Sequence, residues 1–194
     1  MLRRSAEPVQ GKGNPAHAVA CTQDMMLDVF ILGYGNTMRG DDALGIHAAH
    51  ALYDFYCNDG GIRVLATSQL TFDLAEDISQ AQLIIFIEAT EAGVPGEIQT
   101  EKLLPADEKV RFTHHWTPRT LLTLSKQLYG KAPSAVMLTM SVASNETGVG
   151  LSAEVQSRMP ELLEHAKTVV ANWRLAQSDS IHNSADSDPE LSRR

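Results

Sequence analysis

Two adjacent acids closing a glycine-rich stretch are the first residues in this chain equipped for chemistry. The stretch reads Gly33-Tyr34-Gly35-Asn36-Thr37-Met38-Arg39-Gly40-Asp41-Asp42-Ala43-Leu44-Gly45. It begins where the apolar run Leu27 to Leu32 stops, the pattern of a buried strand entering a tight turn. A helix is expected from Asp41 or Asp42, because Leu44, Ala48, Ala51, Leu52 and Phe55 fall at helical spacing. A dinucleotide-binding turn is the obvious rival. It fails on spacing, since G-x-G-x-x-G requires glycine where Met38 stands. It also fails on charge, because Asp41 and Asp42 occupy the helix N-terminus where a pyrophosphate would dock. A loop of this kind suits a cation better.

The elements that must position this loop follow from periodicity and punctuation. Ile62 to Thr67 reads as a second strand and Leu70 to Ile78 as a short helix. Leu83 to Ile87 is continuously apolar, as a strand covered on both faces demands. Gly93-Val94-Pro95-Gly96 turns the chain into an edge strand, Glu97 to Leu103. Thr117-Pro118 supplies an N-cap and a first-turn proline for a helix that ends at Gly130. Ala135 to Val142 is the last strand, and Leu151 to Leu175 the last helix, capped by Ser152. Strands alternating with helices predict an α/β fold: a single three-layer α/β/α domain around a twisted, mostly parallel sheet of about five strands. In such sheets functional groups collect beyond the carboxyl ends of the strands.

The strand, the Gly-x-Gly-Asn turn, four further residues and the acidic pair opening a helix resemble the [NiFe]-hydrogenase maturation proteases. The likeness extends over roughly residues 27–175, and Gly148-Val149-Gly150-Leu151-Ser152 resembles the family's entry into its last helix. The resemblance implies an aspartic-type, nickel-dependent endopeptidase that removes the C-terminal extension of a hydrogenase large-subunit precursor. Nickel then arrives inside the substrate, and no organic cofactor is expected. By the same resemblance the second acid of the pair, Asp42, is a metal ligand. A second ligand falls on Asp73, after the second strand, and the third on the His114-His115-Trp116 segment. Counting apolar residues two, seven and eight positions onward gives Trp116, Leu121 and Leu122 from His114, but Thr117, Leu122 and Thr123 from His115. His114 is favoured, with His115 the alternative. Asp42 and Asp73 are also the catalytic candidates, and Gly35, Asn36, Gly40 and Asp41 form the substrate loop. Two departures stand out: Ala43 follows the acidic pair where many relatives have glycine, and Glu88 closes the third strand where aspartate is expected.

Two carboxylates and an imidazole suit a borderline divalent ion, and three protein ligands leave positions open for an outside ligand. Hydrolysis then follows one of two routes. The metal polarises the scissile carbonyl or activates a water, or a carboxylate acts as general base while nickel only places the bond. No His-Glu-x-x-His pair, Gly-x-Ser-x-Gly elbow or Cys-His pair in a recognisable context is present. Taken singly, Asp42 reads equally well as a helix-capping acid, Asp73 as a solvated helix acid and the histidines as surface residues. Their succession on strand–helix junctions is what fits the family.

Composition bounds the rest. The 194 residues, 43% hydrophobic and 21% charged, suffice for one domain with a sizeable core. A net charge of −8 argues against nucleic acid or an anionic membrane as partner. The two cysteines, Cys21 and Cys57, form no metal or redox motif, so the expected setting is a reducing cytoplasm. No apolar run approaches the ~20 residues of a membrane span. Residues 1–25 and 177–194 have no sustained apolar period and are expected to be disordered, leaving 26–176 as the protease domain. Met25-Met26, directly before the first strand, points to a translation start there. A monomer meeting its precursor transiently is expected. Two other functions stay open: a non-proteolytic hydrogenase assembly protein, and a general metallo-hydrolase of similar architecture.

Overall fold

The computed structural model of the protein describes residues 27–106, 116–142 and 150–185, with side chains through 179. The elements run β1 (Leu27–Tyr34), α1 (Leu44–Tyr56), β2 (Ile62–Thr67), α2 (Leu74–Gln80) and β3 (Ala81–Thr90). Then come β4 (Ile98–Leu103), α3 (Pro118–Tyr129), β5 (Ser134–Ser141) and α4 (Ala153–Ala185). The five strands form one sheet in the order β2-β1-β3-β5-β4. All pairs are parallel except β4 with β5, so β4 is an antiparallel edge. The expected α/β architecture is therefore present.

Alternation along β1 explains the three layers. Val29 and Ile31 pack with Leu44, Ala48 and Leu52 of α1 and Val155, Leu162, Ala166 and Val170 of α4. Phe30 and Leu32 face the other way, onto Leu74 and Ile78 of α2 and Leu121 and Leu122 of α3. Both sets are buried, which is why β1 and β3 read as continuous apolar runs rather than alternating ones. The two connections beside β1 lie on opposite faces, with α1 on one and α2 on the other. That arrangement makes the carboxyl ends of β1 and β3 the switch point of an open α/β sheet, where the ligand crevice of such folds lies.

Helix α1 reaches the sheet by backbone contact. A Cβ built on Gly45 would run into the carbonyl oxygens of Ile87 and Tyr34 and come within 2.7 Å of the Tyr34 nitrogen. A Cβ on Gly33 would strike the Gly45 carbonyl and lie 2.8 Å from the Ala49 Cβ. Only glycine at both positions lets the helix settle over the β1–β3 seam.

Helix α3 forms as its ends predict. The Thr117 hydroxyl accepts from the Thr120 amide at 3.2 Å, the Thr117 amide donates to the Thr120 hydroxyl at 2.8 Å, and Gly130 closes the helix at φ 72°. Ser152 caps α4, its hydroxyl accepting from the Val155 amide at 3.3 Å.

Several boundaries differ from the sequence expectation, each for a local reason. β1 continues through Gly33 and Tyr34, because both still pair with β2. The acidic pair lies in a 3-10 turn, Gly40–Ala43, and α1 begins only at Leu44. The Asp42 amide donates to the Arg39 carbonyl three residues back, which winds the chain too tightly for an α-helix. α2 starts at Leu74 rather than Leu70, after a similar turn with Leu74 N–H donating to Thr71 and Ala75 N–H to Phe72. α4 runs to Ala185, beyond 176. Its apolar residues packed against the core stop at Trp173, so the periodic signal ends where packing ends. An established helix propagates at little cost without that signal.

Gly45→Ala should destabilise the fold by about 1–3 kcal/mol in denaturant unfolding, because the added methyl meets backbone rather than flexible side chain. Gly60→Ala, where a Cβ meets open space, should stay within about 0.5 kcal/mol of wild type. Equal stability of the two variants would contradict this account of the helix–sheet contact.

Candidate active site

The loop after β1 is organised around Asn36 and Asp42. The Asn36 side-chain oxygen accepts from the Met38 amide at 2.9 Å, closing a tight turn, and the Arg39 amide donates to the Asn36 carbonyl at 3.0 Å. The Asn36 amide donates to an Asp42 carboxylate oxygen at 3.2 Å. Gly35 makes this closure feasible: at φ 148°, a Cβ there would collide with the Asp42 carbonyl. Asp42 is thus held half-exposed above the end of β1, one carboxylate oxygen tied to the loop's own backbone.

Asp41 and Asp42 have different roles despite their adjacency. Asp41 is only 5% exposed, and its carboxylate accepts from the Ser152 amide at 2.6 Å. It therefore clamps the entry of α4 to the β1 loop across the core. Its partner lies far away in sequence, so a reading of local spacing can group it only with the loop. Asp42 is the member of the pair that remains available to a ligand.

A third carboxylate belongs with Asp42. Ile87 pairs with Gly33 across the β1–β3 ladder, which sets Glu88 beside Tyr34 on the neighbouring strand. The Tyr34 hydroxyl donates to the Glu88 carboxylate, and burial with the nearby Glu88 charge drives the phenol far above its ordinary range. Burial likewise pushes the Glu88 carboxyl up; the Tyr34 hydrogen bond opposes the rise and the negative charge of Asp42 adds to it. Asp42, in the turn that follows β1, and Glu88, near the end of the neighbouring β3, therefore lie at the same edge of the sheet, where the charge of the first reaches the second. Sequence reasoning noted Glu88 only as a departure from aspartate at a strand end. The parallel pairing of β1 with β3 was the missing signal.

The other expected site residues are dispersed over the same edge or undescribed. Asp73 is exposed at the N-cap of α2, on the loop leaving β2, and forms no capping hydrogen bond with that helix. Gly40 opens the 3-10 turn at φ 49°. His114 and His115 lie outside the described residues, as do Gly148 and Val149. Among the described residues no three His, Cys, Asp or Glu side chains converge to hold a metal ion. Two carboxylates with an open third position can bind part of a cation's shell or take a proton from water.

Comparison with known proteins bears on what such an edge is for. No family model matches the chain. It is 22% identical over 169 residues to the hydrogenase expression/formation protein HupD of Thiocapsa roseopersicina, covering 82% of this chain and 75% of that protein. HupD of Rhizobium leguminosarum bv. viciae is 24% identical over 157 residues, covering 76% of each. Among solved structures, the [NiFe] hydrogenase maturation protease HycI of Thermococcus kodakarensis KOD1 superposes with a TM-score of 0.61 at 22% identity. That match covers 74% of this chain and 92% of HycI. The hydrogenase maturating endopeptidase HybD of E. coli superposes with a TM-score of 0.59 at 22% identity, covering 75% and 93%. The fold is that of the hydrogenase maturation proteases. The resemblance carried by the Gly33 to Gly45 stretch therefore holds at the level of architecture. Among the described residues no helix is long and apolar enough to cross a membrane.

Two outcomes check this geometry. Asp41→Ala should cost about 1–3 kcal/mol, since it removes the buried acceptor that holds the Ser152 amide, whereas Asp41→Asn keeps an acceptor and should cost less. The raised Glu88 ionisation gives a pH signature of the metal-free protein. Below the ordinary carboxylate range Glu88 is protonated whether the chain is folded or not, and contributes no difference. As pH rises through the window between its unfolded and its higher folded value, the unfolded state ionises first and wild type loses stability. Glu88→Gln should abolish that loss in unfolding curves measured across pH.

Proposed function

We propose that this chain is an endopeptidase that removes the C-terminal extension of a nickel-loaded [NiFe]-hydrogenase large-subunit precursor. The observation that carries this reading is the placement of Asp42 and Glu88 at the end of the adjacent strands β1 and β3, the switch point of a fold shared with hydrogenase maturation endopeptidases. A general metallo-hydrolase would need a resident metal cluster. Two carboxylates with room for outside ligands instead suit an ion that enters and leaves with the substrate.

Nickel is cargo in this scheme. Asp42 and one histidine, His114 in preference to His115, contact the precursor's nickel together with a second carboxylate. For that second position Glu88 has the stronger claim on electrostatics, since its field and that of Asp42 overlap. Asp73 is the alternative, on the loop leaving the adjacent strand β2. Contact with the metal fixes the scissile bond over the crevice. The carboxylate that does not contact the nickel is free to accept a proton from the attacking water and pass it to the departing amine. Tyr34, hydrogen-bonded to Glu88, holds that carboxylate in place. A precursor lacking nickel has nothing to anchor it there, so cleavage reports that metal insertion is complete.

The test follows the mass of a purified large-subunit precursor incubated with this protein, nickel-loaded and nickel-free. Loss of a C-terminal peptide from the loaded form alone is expected. Asp42→Asn and Glu88→Gln should each slow processing by about 100-fold or more, the usual scale for losing a positioned acid or base. If Asp73→Asn is silent while Glu88→Gln is inactive, the second carboxylate is Glu88; the reverse assigns Asp73. His114→Ala against His115→Ala assigns the imidazole in the same assay. No cleavage of either precursor form, when a competent maturation protease cuts the loaded one, would move the protein to the non-proteolytic assembly class.

A further inference from the structure

Among the described residues Asp41 is the only charged side chain that is buried, and it stands one position before the candidate ligand Asp42. Taking a carboxylate out of water is costly unless the fold returns its hydrogen bonds. Here the Ser152 amide, at the start of the 33-residue helix α4, donates to it at 2.6 Å. Hydrogen bonds to a carboxylate are shorter and stronger than neutral ones, and a helix N-terminus favours negative charge. The result is a firm tether between the β1 loop and a helix 111 residues away in sequence.

Other hydrogen bonds of the turn close upon the turn itself. The Arg39 amide donates to the Asn36 carbonyl, the Asp42 amide to the Arg39 carbonyl, the Leu44 amide to the Asp41 carbonyl and the Asn36 amide to the Asp42 carboxylate. These bonds fix the internal shape of the turn and do not orient it on the protein. At the loop's beginning, the Gly35 amide donates to the Thr67 carbonyl of β2 at 3.3 Å. At its end, the contact of Gly45 with the β1–β3 seam sets the height of α1. Between these two points the Asp41 tether sets the direction in which the turn faces. Its other end is a stiff reference, because Val155, Leu162, Ala166 and Val170 hold α4 against the sheet on the face that α1 also covers.

We propose that Asp41 is a positioning residue for cleavage: tethered to the Ser152 amide, it orients the 3-10 turn so that the Asp42 carboxylate faces the switch point at the ends of β1 and β3. This rests on the reading of Asp42 as a group that contacts the precursor's nickel. Asp41 itself meets no reacting atom, since its side chain is buried and bonded to the entry of α4. One peptide unit separates the two acids, so a rotation of the turn that frees Asp41 carries Asp42 with it. A displacement of about 1 Å at a positioned group can cost about a hundredfold in rate.

The experiment measures kcat and KM for processing of nickel-loaded precursor by Asp41→Ala, Asp41→Asn and Asp41→Glu, with thermal unfolding to establish that each is folded at the assay temperature. Asparagine keeps the length and an acceptor without the charge; glutamate keeps the charge but adds a methylene. Asp41→Ala should lower kcat about tenfold or more, while Asp41→Asn should stay within about threefold of wild type and above Asp41→Glu. If Asp41→Ala does not fold, the order of the other two carries the test, and Asp41→Glu at or above Asp41→Asn overturns the proposal. In the Asp42→Asn background, Asp41→Ala should cost no more than about twofold further, because both changes remove one function. Losses that multiply instead overturn action through Asp42. Ser125→Ala removes another buried hydrogen bond, 2.7 Å to the Lys131 carbonyl, where the chain approaches β5 at the opposite edge. It should lower stability and leave kcat unchanged; an equal fall in kcat would reduce Asp41 to a structural part. Wild-type kcat in folded Asp41→Ala overturns the positioning role and leaves the cleavage reading intact. A wild-type protein that leaves nickel-loaded precursor uncut overturns both.

Discussion

The backbone contact between α1 and the β1–β3 seam is the constraint on which the rest of this structure depends. Gly33 and Gly45 leave no side chain between helix and sheet, so the start of the helix lies directly against the Tyr34 and Ile87 backbone. That closeness fixes the height of the 3-10 turn above the strand ends. It also determines where Asp42 stands relative to Glu88, which projects from the other side of the same seam. A methyl group at either glycine would lift the helix and separate the two carboxylates before touching either of them.

Division of labour between neighbouring residues follows from this placement. Asp41 points into the protein and satisfies the first amide of the α4 entry, so the β1 loop and the last helix are held by one hydrogen bond at 2.6 Å. Asp42, one residue on, is left half-exposed with a single backbone donor. Two chemically identical side chains thus become a structural clamp and a candidate ligand because the tight turn sends them in different directions. Glu88 and Tyr34 show the complementary effect. Their burial strains the ionisation of both, a cost to stability that active sites commonly carry and that the packed layers below offset.

Much of this was legible from residue order. The caps of α3, the Thr117-Pro118 start and the Gly130 stop, are local chemistry and were readable as such, and β2 was bounded correctly at Ile62 and Thr67. Boundaries were misplaced where the chain makes 3-10 turns, at Gly40–Ala43 and before Leu74, because helical apolar spacing is blind to whether an amide bonds three or four residues back. The far end of α4 was missed for a different reason. A helix that has left the sheet has no apolar face to advertise it.

The sequence alone determined the fold class and the acidic pair that closes the first loop. Both follow from short-range patterns: apolar runs, and two acids where the glycine-rich turn meets the helix. Tertiary structure decided which residues stand with Asp42. The placement of Asp42 with Glu88 and the clamp from Asp41 to Ser152 both join positions far apart in the chain. Such pairings are set by strand order and register in a parallel sheet, where neighbours in space are separated by whole helical crossovers in sequence.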